Sequence, residues 1–439
     1  MLTRFRYHAW YAWWLVVAAY NIPLLALHTS SELLLTTVNL LVCVLIRNEP
    51  FLHLLYFAVE GTRDIRHPRL KRFFHRLLHM NGDLHIASAC WSACWLCVYL
   101  ARRAAEADGG TVAFIAVILG MMAAMIAFAQ RYFRDAYHNF FEVVHRYVGW
   151  TLLAVFLGSL LYSHRDDWVG MLTDPVFLLY VCIVNIVFSP WFFVRSVDLQ
   201  GRVRTTDGVT ILTLPGAPKA GSFIRLSHDL VEWHAFGTAC RDKGGGEFNV
   251  IIAPAGDWTR DLLERCSDEQ RRPRRIWVRT IFSVGFMRSV MSYRKVLCVG
   301  TGGGIAPILS FLANTDCDHV HMLWVARKFD SYYGSDVVGM LRDRTNTTLY
   351  DTAARSVTNT SGFIDIEHPE GRSDDDKGDV EKGEAGRKRV DVTALIQNYC
   401  GRHEDVEAVF IVSNRTLTFR VVHELSQLGI ISYGAVWDS

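Results

Sequence analysis

The sequence lacks an excess of charge of either sign: 46 Lys and Arg residues stand against 44 Asp and Glu residues, a net charge of +2 over 439 residues. Proteins that bind nucleic acid attract phosphates with a surplus of basic residues, so this balance argues against nucleic acid as a partner. Cysteine is also scarce, since ten residues in a chain of this length do not form a disulfide scaffold or a zinc site. Three of them, Cys90, Cys94 and Cys97, lie in an apolar run, where cysteine behaves as a small hydrophobic residue.

Apolar sequence, by contrast, is abundant. Hydrophobic residues make up 51% of the chain, the mean hydropathy is +0.15, and most of the apolar residues precede Arg195. A helix of about 20 apolar residues crosses the ~30 Å hydrocarbon core of a bilayer. The long apolar runs therefore exclude a plain soluble enzyme and predict six membrane spans followed by a soluble half. The predicted spans are Trp10–Leu27, Glu32–Ile46, Leu84–Leu100, Thr111–Ala129, Phe140–Tyr162 and Leu172–Val194.

Basic residues between these spans predict the orientation of the chain. The connection after the second span carries Arg47, Arg63, Arg66, Arg69, Lys71, Arg72 and Arg76. Cytoplasmic connections carry the excess of Lys and Arg, so both termini are expected in the cytosol. Arg102 and Arg103 are exceptions, because they would face outward. No small-residue cleavage site follows the first span, which predicts an uncleaved anchor.

Histidines stand near the cytosolic ends of two predicted spans. His79 and His85 precede or open the third span, and His138 and His145 precede or open the fifth. Ionisable groups at membrane depth are costly and usually functional. Neutral imidazole ligates haem iron, and a helix bundle can hold haem between two facing helices. Two interpretations remain open: haem ligation, or interfacial histidines that cap helices and meet lipid headgroups.

From Ser196 onward, short alternating segments predict the strands of a small antiparallel barrel. These segments are Val197–Val203, Thr210–Leu214, Phe223–Ser227, Glu247–Ala253 and Ile276–Ile281. Between the third and fourth of them lies the run Glu232–Ala239. Its cation, aromatic and hydroxyl side chains could contact the phosphate, ring and ribityl chain of a flavin. A plain barrel strand without a ligand is the alternative.

A glycine-rich segment follows the predicted barrel. Lys295–Val299 reads as a buried parallel strand, and Gly300–Pro307 leads from it into the apolar helix Ile308–Leu312. Glycines allow the backbone to approach a pyrophosphate, and the start of a helix favours negative charge. This layout predicts a dinucleotide phosphate site, although the spacing is not Gly-x-Gly-x-x-Gly. A tight strand–helix turn without a ligand is the alternative.

Three further strands complete a predicted doubly wound α/β domain: His319–Ala326, Thr348–Thr352 and Ala408–Val412. Arg327 and Lys328 follow the first of these, at the position that meets the adenosine ribose. Basic residues there favour a 2′-phosphate and hence NADPH over NADH, unless they are solvated surface charges. The charged run Glu370–Arg389 is too polar to bury a core, which predicts a disordered insertion.

The motifs in this order resemble the ferric reductase/NADPH oxidase superfamily. Stretches that are similar to fungal TmpA-type integral membrane proteins include His138–Trp150, Trp233–Phe236 (with Ala235 where the pattern has Pro), Val412–Asn414 and Gly434–Ser439. The resemblance covers nearly the whole chain. It implies a six-span membrane domain over 1–195, a flavin-binding β-barrel over 196–292, and an NADPH-binding α/β domain over 293–439 with the insertion at 370–389.

The resemblance also implies electron flow from NADPH to FAD, to haem b and on to an acceptor. It assigns FAD binding to Trp233, His234, Phe236 and Thr238. It assigns NADPH pyrophosphate binding to Gly300, Thr301, Gly302, Gly304 and Pro307, and the position of Arg327 after its strand adds that residue to the predicted site. The implied haem ligands are His85 and His145, with His79 and His138 in reserve. Trp437 would cover the flavin until nicotinamide displaces it, or else belong to the buried core.

Two departures from the superfamily pattern leave the function open. Ser413 and Asn414 stand where related reductases place a Cys near the nicotinamide, which puts efficient hydride transfer in doubt. The positions of an outer haem hold Val98 or Tyr99 and Gly158 or Ser159, so one haem at most is expected. Two functions therefore stay open: a membrane oxidoreductase that serves a small-molecule or metal acceptor, which the resemblance places in the plasma membrane, or a catalytically weakened membrane sensor. A transporter lacks support, because no pair of spans shows the pattern of broken helices.

Overall fold

The computed structural model describes residues 4–27, 31–64, 71, 73–75, 78, 81–240, 246–312, 318–342, 346–354, 356–359 and 390–435. The chain divides into two compact units. The first contains Met1–Leu55 and His67–Phe192, and the second contains Tyr56–Arg66 and Phe193–Ser439. The division after Phe192 lies three residues before the predicted end of the membrane domain. The two predicted soluble domains fall together in the second unit, and the insertion at 370–389 lies outside the described residues.

The described part of the first half of the chain is helical. Its helices are α1 (Arg4–Ala26), α2 (Glu32–Leu45), α3 (Glu49–Glu60), α4 (Asn81–Arg103), α5 (Gly109–Phe128), α6 (Arg131–Ala136), α7 (His138–Ser163), α8 (Trp168–Thr173) and α9 (Pro175–Phe188).

Among the described residues, four helices are long and apolar enough to cross a membrane. They are Gly82–Arg103, Gly109–Phe128, His138–Ser163 and Pro175–Phe193, which match the third to sixth predicted spans. The prediction of six spans is not confirmed. Helix α2 has 14 residues, about 21 Å of rise, and is bent by 70° from α3, so this pair counts at most as a fifth span. In the first predicted span, the apolar helix Ala12–Ala26 is shorter than the others.

A buried polar cluster joins α1, α2 and α4. Asn21 Oδ1 accepts hydrogen bonds from Trp95 Nε1 at 2.6 Å and from Asn39 Nδ2 at 2.9 Å. Asn39 Oδ1 accepts from Tyr20 Oη at 2.6 Å and from Asn21 Nδ2 at 3.0 Å. An amide left without partners in hydrocarbon costs several kcal/mol, so these reciprocal bonds fix how the three helices pack.

Arg102 and Arg103, the exceptions to the predicted distribution of basic residues, both pair with the carboxylate of Glu32. Glu32, at the start of α2, is 2% exposed and lies 3.4 Å from Arg102 and 3.3 Å from Arg103 at the end of α4. These ion pairs neutralise part of the positive charge of that connection.

One antiparallel sheet of seven strands forms the first part of the soluble half. The strands are β1 (Val194–Asp198), β2 (Val203–Thr205), β3 (Thr210–Pro215), β4 (Ser222–Ser227), β5 (His234–Cys240), β6 (Glu247–Ile252) and β7 (Arg275–Val284), and α10 (Asp257–Ser267) lies between the last two. Their order is β1-β7-β4-β5-β6-β3-β2. The sheet curls around a core that includes Leu212, Ile224, Phe248 and Val278, which confirms the antiparallel prediction. The predicted strand at 197–203 is wrong, because Gly201, with φ +68°, ends β1 in a turn before β2.

A second sheet of six strands, in the order β11-β10-β9-β8-β12-β13, follows. Its elements are β8 (Val296–Thr301), α11 (Ala306–Leu312), β9 (Val320–Ala326), α12 (Phe329–Tyr333), α13 (Ser335–Arg342), β10 (Thr347–Asp351), β11 (Ser356–Asn359), α14 (Val392–Arg402), β12 (Ala408–Val412), α15 (Arg415–Gln427) and β13 (Ser432–Gly434). All neighbours are parallel except β10 and β11. The strand order reverses direction between β8 and β12, as the predicted doubly wound topology requires.

The second unit also includes a segment from the first half of the chain. Glu60, at the end of α3, forms a two-point ion pair with Arg288, with nitrogen–oxygen distances of 2.9 Å. The Arg288 guanidinium also lies 5.1 Å from the ring of Phe57, and Ser292 Oγ donates to the Val59 carbonyl at 3.2 Å. Residues that are more than 200 positions apart in sequence thus form one packed surface.

Candidate functional site

The candidate site lies at the carboxyl ends of β8 and β12. In open α/β sheets, ligands bind at this edge where the strand order reverses. Strand β8 ends at Thr301, and β12 ends at Val412 beside Ser413. The hydroxyl groups of Thr301 and Ser413 are hydrogen-bonded to each other, which joins the two strand ends. Ser413 is buried, and Asn414 caps α15 by accepting from the Leu417 amide at 2.9 Å.

Three consecutive positions of the loop between β8 and α11, Gly302 to Gly304, favour glycine for reasons of backbone conformation or space. Gly302 has φ +53°, a conformation that favours glycine. A β-carbon added to Gly304 would lie 2.2 Å from the Val412 carbonyl oxygen, and one added to Gly303 would lie 2.5 Å from the β-carbon of Ala253. The loop therefore presents bare backbone at the strand ends, which is what close approach to a pyrophosphate requires.

Trp324 on β9 is hydrogen-bonded to this loop, a contact that was not predicted from the sequence. Its indole Nε1 donates to the Gly302 carbonyl at 2.9 Å from the buried strand β9. Its ring contacts Phe329 and Tyr333 at centroid distances of 4.6 and 4.7 Å. Burial raises the pKa of Tyr333 to about 12, so its hydroxyl stays protonated beside the loop. A tryptophan inside a buried strand is an expected core residue, so no sequence signal marks this role.

Arg327 is exposed at the carboxyl end of β9, where it was predicted to meet the adenosine ribose. Its Nη2 donates to the Tyr332 hydroxyl at 2.9 Å, and its guanidinium lies 5.2 Å from the centre of that ring. Tyr332 is held in turn by Thr206, whose hydroxyl donates to the Tyr332 carbonyl at 2.5 Å. Arg327 is thus a positioned cation at the same edge as the glycine loop.

Strand β5 of the antiparallel sheet packs directly on the start of α11, the helix that follows the glycine loop. A β-carbon on Gly237 would lie 2.5 Å from the α-carbon of Pro307 and 2.8 Å from its nitrogen. Only glycine fits at this contact. The strand predicted to bind flavin and the loop predicted to bind NADPH are therefore neighbours within one unit.

The predicted flavin residues His234, Phe236 and Thr238 occupy alternate positions of β5 and share one face of the strand. His234 and Phe236 face the side of Leu226 and Ile224, their buried partners on β4. Their rings contact Trp258 at centroid distances of 4.5 and 5.7 Å, and His234 Nε2 lies 2.8 Å from Glu232 Oε1. Thr238 is fully buried and its hydroxyl donates to the Ser222 carbonyl at 3.1 Å. The Thr238 hydrogen therefore already has an acceptor within the protein.

The first unit brings together the two histidines expected to ligate haem. The ring centroids of His85 on α4 and His145 on α7 are 6.1 Å apart. His85 Nδ1 lies 2.7 Å from the Cys43 carbonyl oxygen, which selects the tautomer with the proton on Nδ1 and leaves Nε2 as an acceptor. Metal-bound histidines are usually oriented by such a bond. The spacing and tautomer fit a pair of imidazoles on one metal ion, each at about 2 Å.

The reserve ligands are not added to this pair. His138 is 45% exposed and its Nε2 lies 3.5 Å from Glu142 on the same helix. His79 and Trp437 both lie outside the described residues.

Comparison with known proteins gives matches to fungal reductases. A model of the family described as "Adenylate-forming reductase 03009, C-terminal domain" matches residues 286–365 and 380–439. In Coprinopsis cinerea, adenylate-forming reductase 03009 is 26% identical over 416 residues, and adenylate-forming reductase 06235 is 27% identical over 418. Each alignment covers 91% of this chain but 36% of the relative, so the chain spans about a third of the length of these curated relatives.

Among solved structures, the chain is similar to a flavohemoglobin from Malassezia yamatoensis with bound FAD and haem. The TM-score is 0.41 at 11% identity, covering 92% of this chain and 99% of that one. Phthalate dioxygenase reductase matches with a TM-score of 0.35 at 10% identity, covering 56% of this chain and 69% of that one. The fold is assigned from the strand orders of the two sheets and not from these matches.

Proposed function

We propose that this chain is a membrane-bound flavoprotein oxidoreductase of ferric reductase type, which takes electrons from NADPH through FAD to one haem b. The observation that supports it most is the contact between Gly237 and Pro307. This contact sets β5 of the antiparallel sheet against the start of α11, directly after the glycine loop at the strand-order reversal of the parallel sheet. A hydride donor and a hydride acceptor have to be neighbours, and this packing provides adjacent surfaces for both.

The parallel sheet would supply the NADPH site. The backbone of Gly300–Gly304 would hold the pyrophosphate, because its four glycines carry no side chains to keep a phosphate at a distance. Arg327 would hold the 2′-phosphate, since Tyr332 keeps its guanidinium at the same edge of the sheet. Trp324 would act as a positioning residue through its bond to the Gly302 carbonyl.

The histidine pair would supply the haem site. His85 and His145 would ligate the iron, with His85 oriented by the Cys43 carbonyl. When bound, FAD would take electrons in pairs from NADPH and haem would carry them singly to a small-molecule or metal acceptor. The four apolar helices and the basic connections support a multi-pass location, which we place in the plasma membrane with both termini in the cytosol.

The test is the absorption spectrum of the detergent-purified protein before and after anaerobic addition of NADPH. We expect a flavin band that bleaches and a Soret band that shifts. Gly302→Asp should leave both resting bands unchanged and stop their reduction, because it places a carboxylate in the phosphate loop and requires φ +53°. A colourless wild-type protein purified from cofactor-supplemented cells would contradict the proposal and favour the sensor alternative.

A second candidate follows from the curated relatives. Because they match 91% of this chain and are called adenylate-forming reductases, the chain could instead reduce an adenylate-activated acid delivered by a separate domain. NADPH oxidation that requires an acyl adenylate and is not supported by ferricyanide would favour this candidate. Oxidation supported by ferricyanide alone favours the flavin proposal.

A further inference from the structure

Helix α9 keeps one side of its surface outside the helix bundle. Four exposed side chains, spaced three or four positions apart, form what we call the α9 face: Leu178, Val181, Cys182 and Asn185. Among the described residues, the span that contains α9 is the least covered of the four long apolar helices. Of its apolar stretch, 11% is buried inside the protein, against 22% to 33% in the other three. Three side chains of the α9 face suit an apolar environment, and the asparagine does not.

Asn185 lies near the middle of this span. It comes ten residues after Pro175 and eight residues before Phe193, the two ends of the apolar helix. At a rise of 1.5 Å per residue, Asn185 is about 15 Å from Pro175, which is half of the ~30 Å hydrocarbon core. A polar side chain at this depth is costly unless its hydrogen-bonding groups have partners.

The Asn185 carboxamide is partly satisfied within its own helix. One N–H of Nδ2 donates to the Val181 carbonyl at 2.8 Å. An asparagine has a second N–H and an oxygen that accepts hydrogen bonds. Within the described part of the chain, no group donates to Asn185 Oδ1. Lipid tails cannot supply a donor, so the donor has to come from a polar group that packs against the α9 face.

Two other asparagines show how this bundle satisfies such an amide. Asn21 Nδ2 donates to Asn39 Oδ1 at 3.0 Å, and Asn39 Nδ2 donates to Asn21 Oδ1 at 2.9 Å. Both side chains are fully buried between their helices. A carboxamide is self-complementary, because it carries both a donor and an acceptor, and interhelical bonds of this kind favour helix association in lipid.

A second copy of this chain offers a matching amide at the correct depth. Two copies inserted with the same orientation are related by a two-fold axis that runs along the membrane normal, and such an interface uses the same patch on both. Equivalent residues then lie at equal depth, so Asn185 of one copy faces Asn185 of the other. An unrelated membrane protein would need a polar group at that same depth by coincidence.

We propose that the α9 face is a self-association surface, on which the Asn185 side chains of two copies form a reciprocal hydrogen-bonded pair. Each Nδ2 keeps its bond to the Val181 carbonyl and uses its second N–H for Oδ1 of the other copy. Cys182, one turn away on the same face, lies near its own counterpart. This inference rests on the multi-pass location within the proposed function and goes beyond it, because it names the partner of an exposed helix.

The first test is energy transfer between full-length copies that carry donor or acceptor fluorescent proteins, in phosphatidylcholine vesicles at increasing protein-to-lipid ratios. We expect saturable transfer for the wild type. Asn185→Leu should weaken association by about fivefold or more, and Asn185→Gln, which keeps the amide, should retain most of it. Leucine suits a lipid-facing position, so each copy should keep its fold. The control Asn139→Leu, which removes an exposed asparagine at the start of α7, should match the wild type.

The second test uses the native cysteines. Cys182 is exposed on the α9 face, whereas Cys94 and Cys97 are exposed on α4. Copper phenanthroline and air remove two electrons and two protons from a pair of close thiols, which forms a disulfide. In the same vesicles we expect a covalent dimer that Cys182→Ser abolishes and that the double variant Cys94→Ser/Cys97→Ser retains. Asn185→Leu should reduce its yield.

Each other outcome overturns the inference. If the wild type shows no more transfer than random collisions give, lipid covers the α9 face, and the flavin proposal still stands where NADPH bleaches the flavin band of those vesicles. If Asn185→Leu associates as the wild type does, or the dimer persists in Cys182→Ser, the copies meet elsewhere. If Asn139→Leu weakens association equally, the effect is not specific to this face. If Cys182 in native membranes cross-links to a different polypeptide, that protein is the partner. If the protein does not float with the vesicles, both the inference and the proposed membrane location are wrong.

Discussion

Gly237 is the residue on which the contact between β5 and the start of α11 depends. A β-carbon added to Gly237 would lie 2.5 Å from the α-carbon of Pro307 and 2.8 Å from its nitrogen. Both of these Pro307 atoms belong to the backbone, so they cannot rotate away. We predict that Gly237→Ala lowers the free energy of unfolding by about 1–3 kcal/mol, as overpacking does, and slows flavin reduction by NADPH. Thermal unfolding and stopped-flow absorbance measure the two effects.

Gly246→Ala is the matched control, because a β-carbon there meets nothing within 4 Å. Its stability and its rate of reduction should equal those of the wild type. A Gly237→Ala protein as stable as this control would show that the strand and the loop can separate at little cost.

Some residues of the site could be predicted from sequence and others could not. The glycine loop is a contiguous pattern with a local physical reason, so its position at the end of β8 agreed with expectation. His85 and His145 lie near the amino-terminal ends of α4 and α7, and their ring centroids are 6.1 Å apart, as their predicted similar depth requires. Trp324 looks like a core residue in sequence, and its bond to the Gly302 carbonyl is visible only in three dimensions.

At the scale of helices, the polar cluster of α1, α2 and α4 makes a specific prediction. Asn39 bonds to both Asn21 and Tyr20, and it is fully buried. We predict that Asn39→Leu lowers the unfolding free energy in detergent by about 1 kcal/mol, the usual size of an interhelical hydrogen-bond contribution in membrane proteins. Thermal unfolding followed by circular dichroism measures the change.

Asn185→Leu is the control for this prediction. Asn185 is exposed on α9 and its amide donates to the Val181 carbonyl of its own helix at 2.8 Å. It should therefore be almost neutral. Equal destabilisation by both variants would mean that the cluster contributes nothing beyond an ordinary asparagine in a helix.

The bend between α2 and α3 explains why the second predicted span is not confirmed as a straight helix. Asn48 Oδ1 accepts from the Phe51 amide at 3.2 Å, and Pro50 occupies the first turn of α3. An Asn followed two residues later by Pro is a helix-start signal, so the sequence did mark a new helix. Hydropathy depends on the number of apolar residues and does not detect such a start. The strand at 197–203 was wrong for a similar reason, since a single glycine ended it.

At the scale of the whole molecule, the two units are expected to lose their cofactors independently. We predict that His85→Ala and His145→Ala each abolish the Soret band and leave the flavin band and NADPH-dependent ferricyanide reduction unchanged, because the residues proposed for those functions lie in the second unit. Absorbance spectra and a steady-state assay check both parts. His138→Ala should retain the Soret band, since that side chain is 45% exposed beside Glu142.

Retention of the Soret band in both alanine variants would remove the ligand assignment. Loss of the flavin band together with the Soret band would show instead that the substitutions unfold the protein.

The overall division into a helical half and a two-sheet half could be predicted from sequence, because hydropathy and strand alternation change together near Arg195. The assignment of Tyr56–Arg66 to the second unit could not, because nothing in that short segment indicates its distant partner.

The pairing of Glu60 with Arg288 has a practical consequence for anyone who wishes to excise the two-sheet half. A fragment that starts at Phe193 discards the carboxylate that neutralises Arg288 and uncovers the surface under Phe57. In the excised fragment, the surface around Arg288 that Phe57 and Glu60 normally cover would be exposed to solvent. Grafting residues 56–66 onto its amino terminus through a flexible tether, or supplying them as a synthetic peptide, would restore that cover.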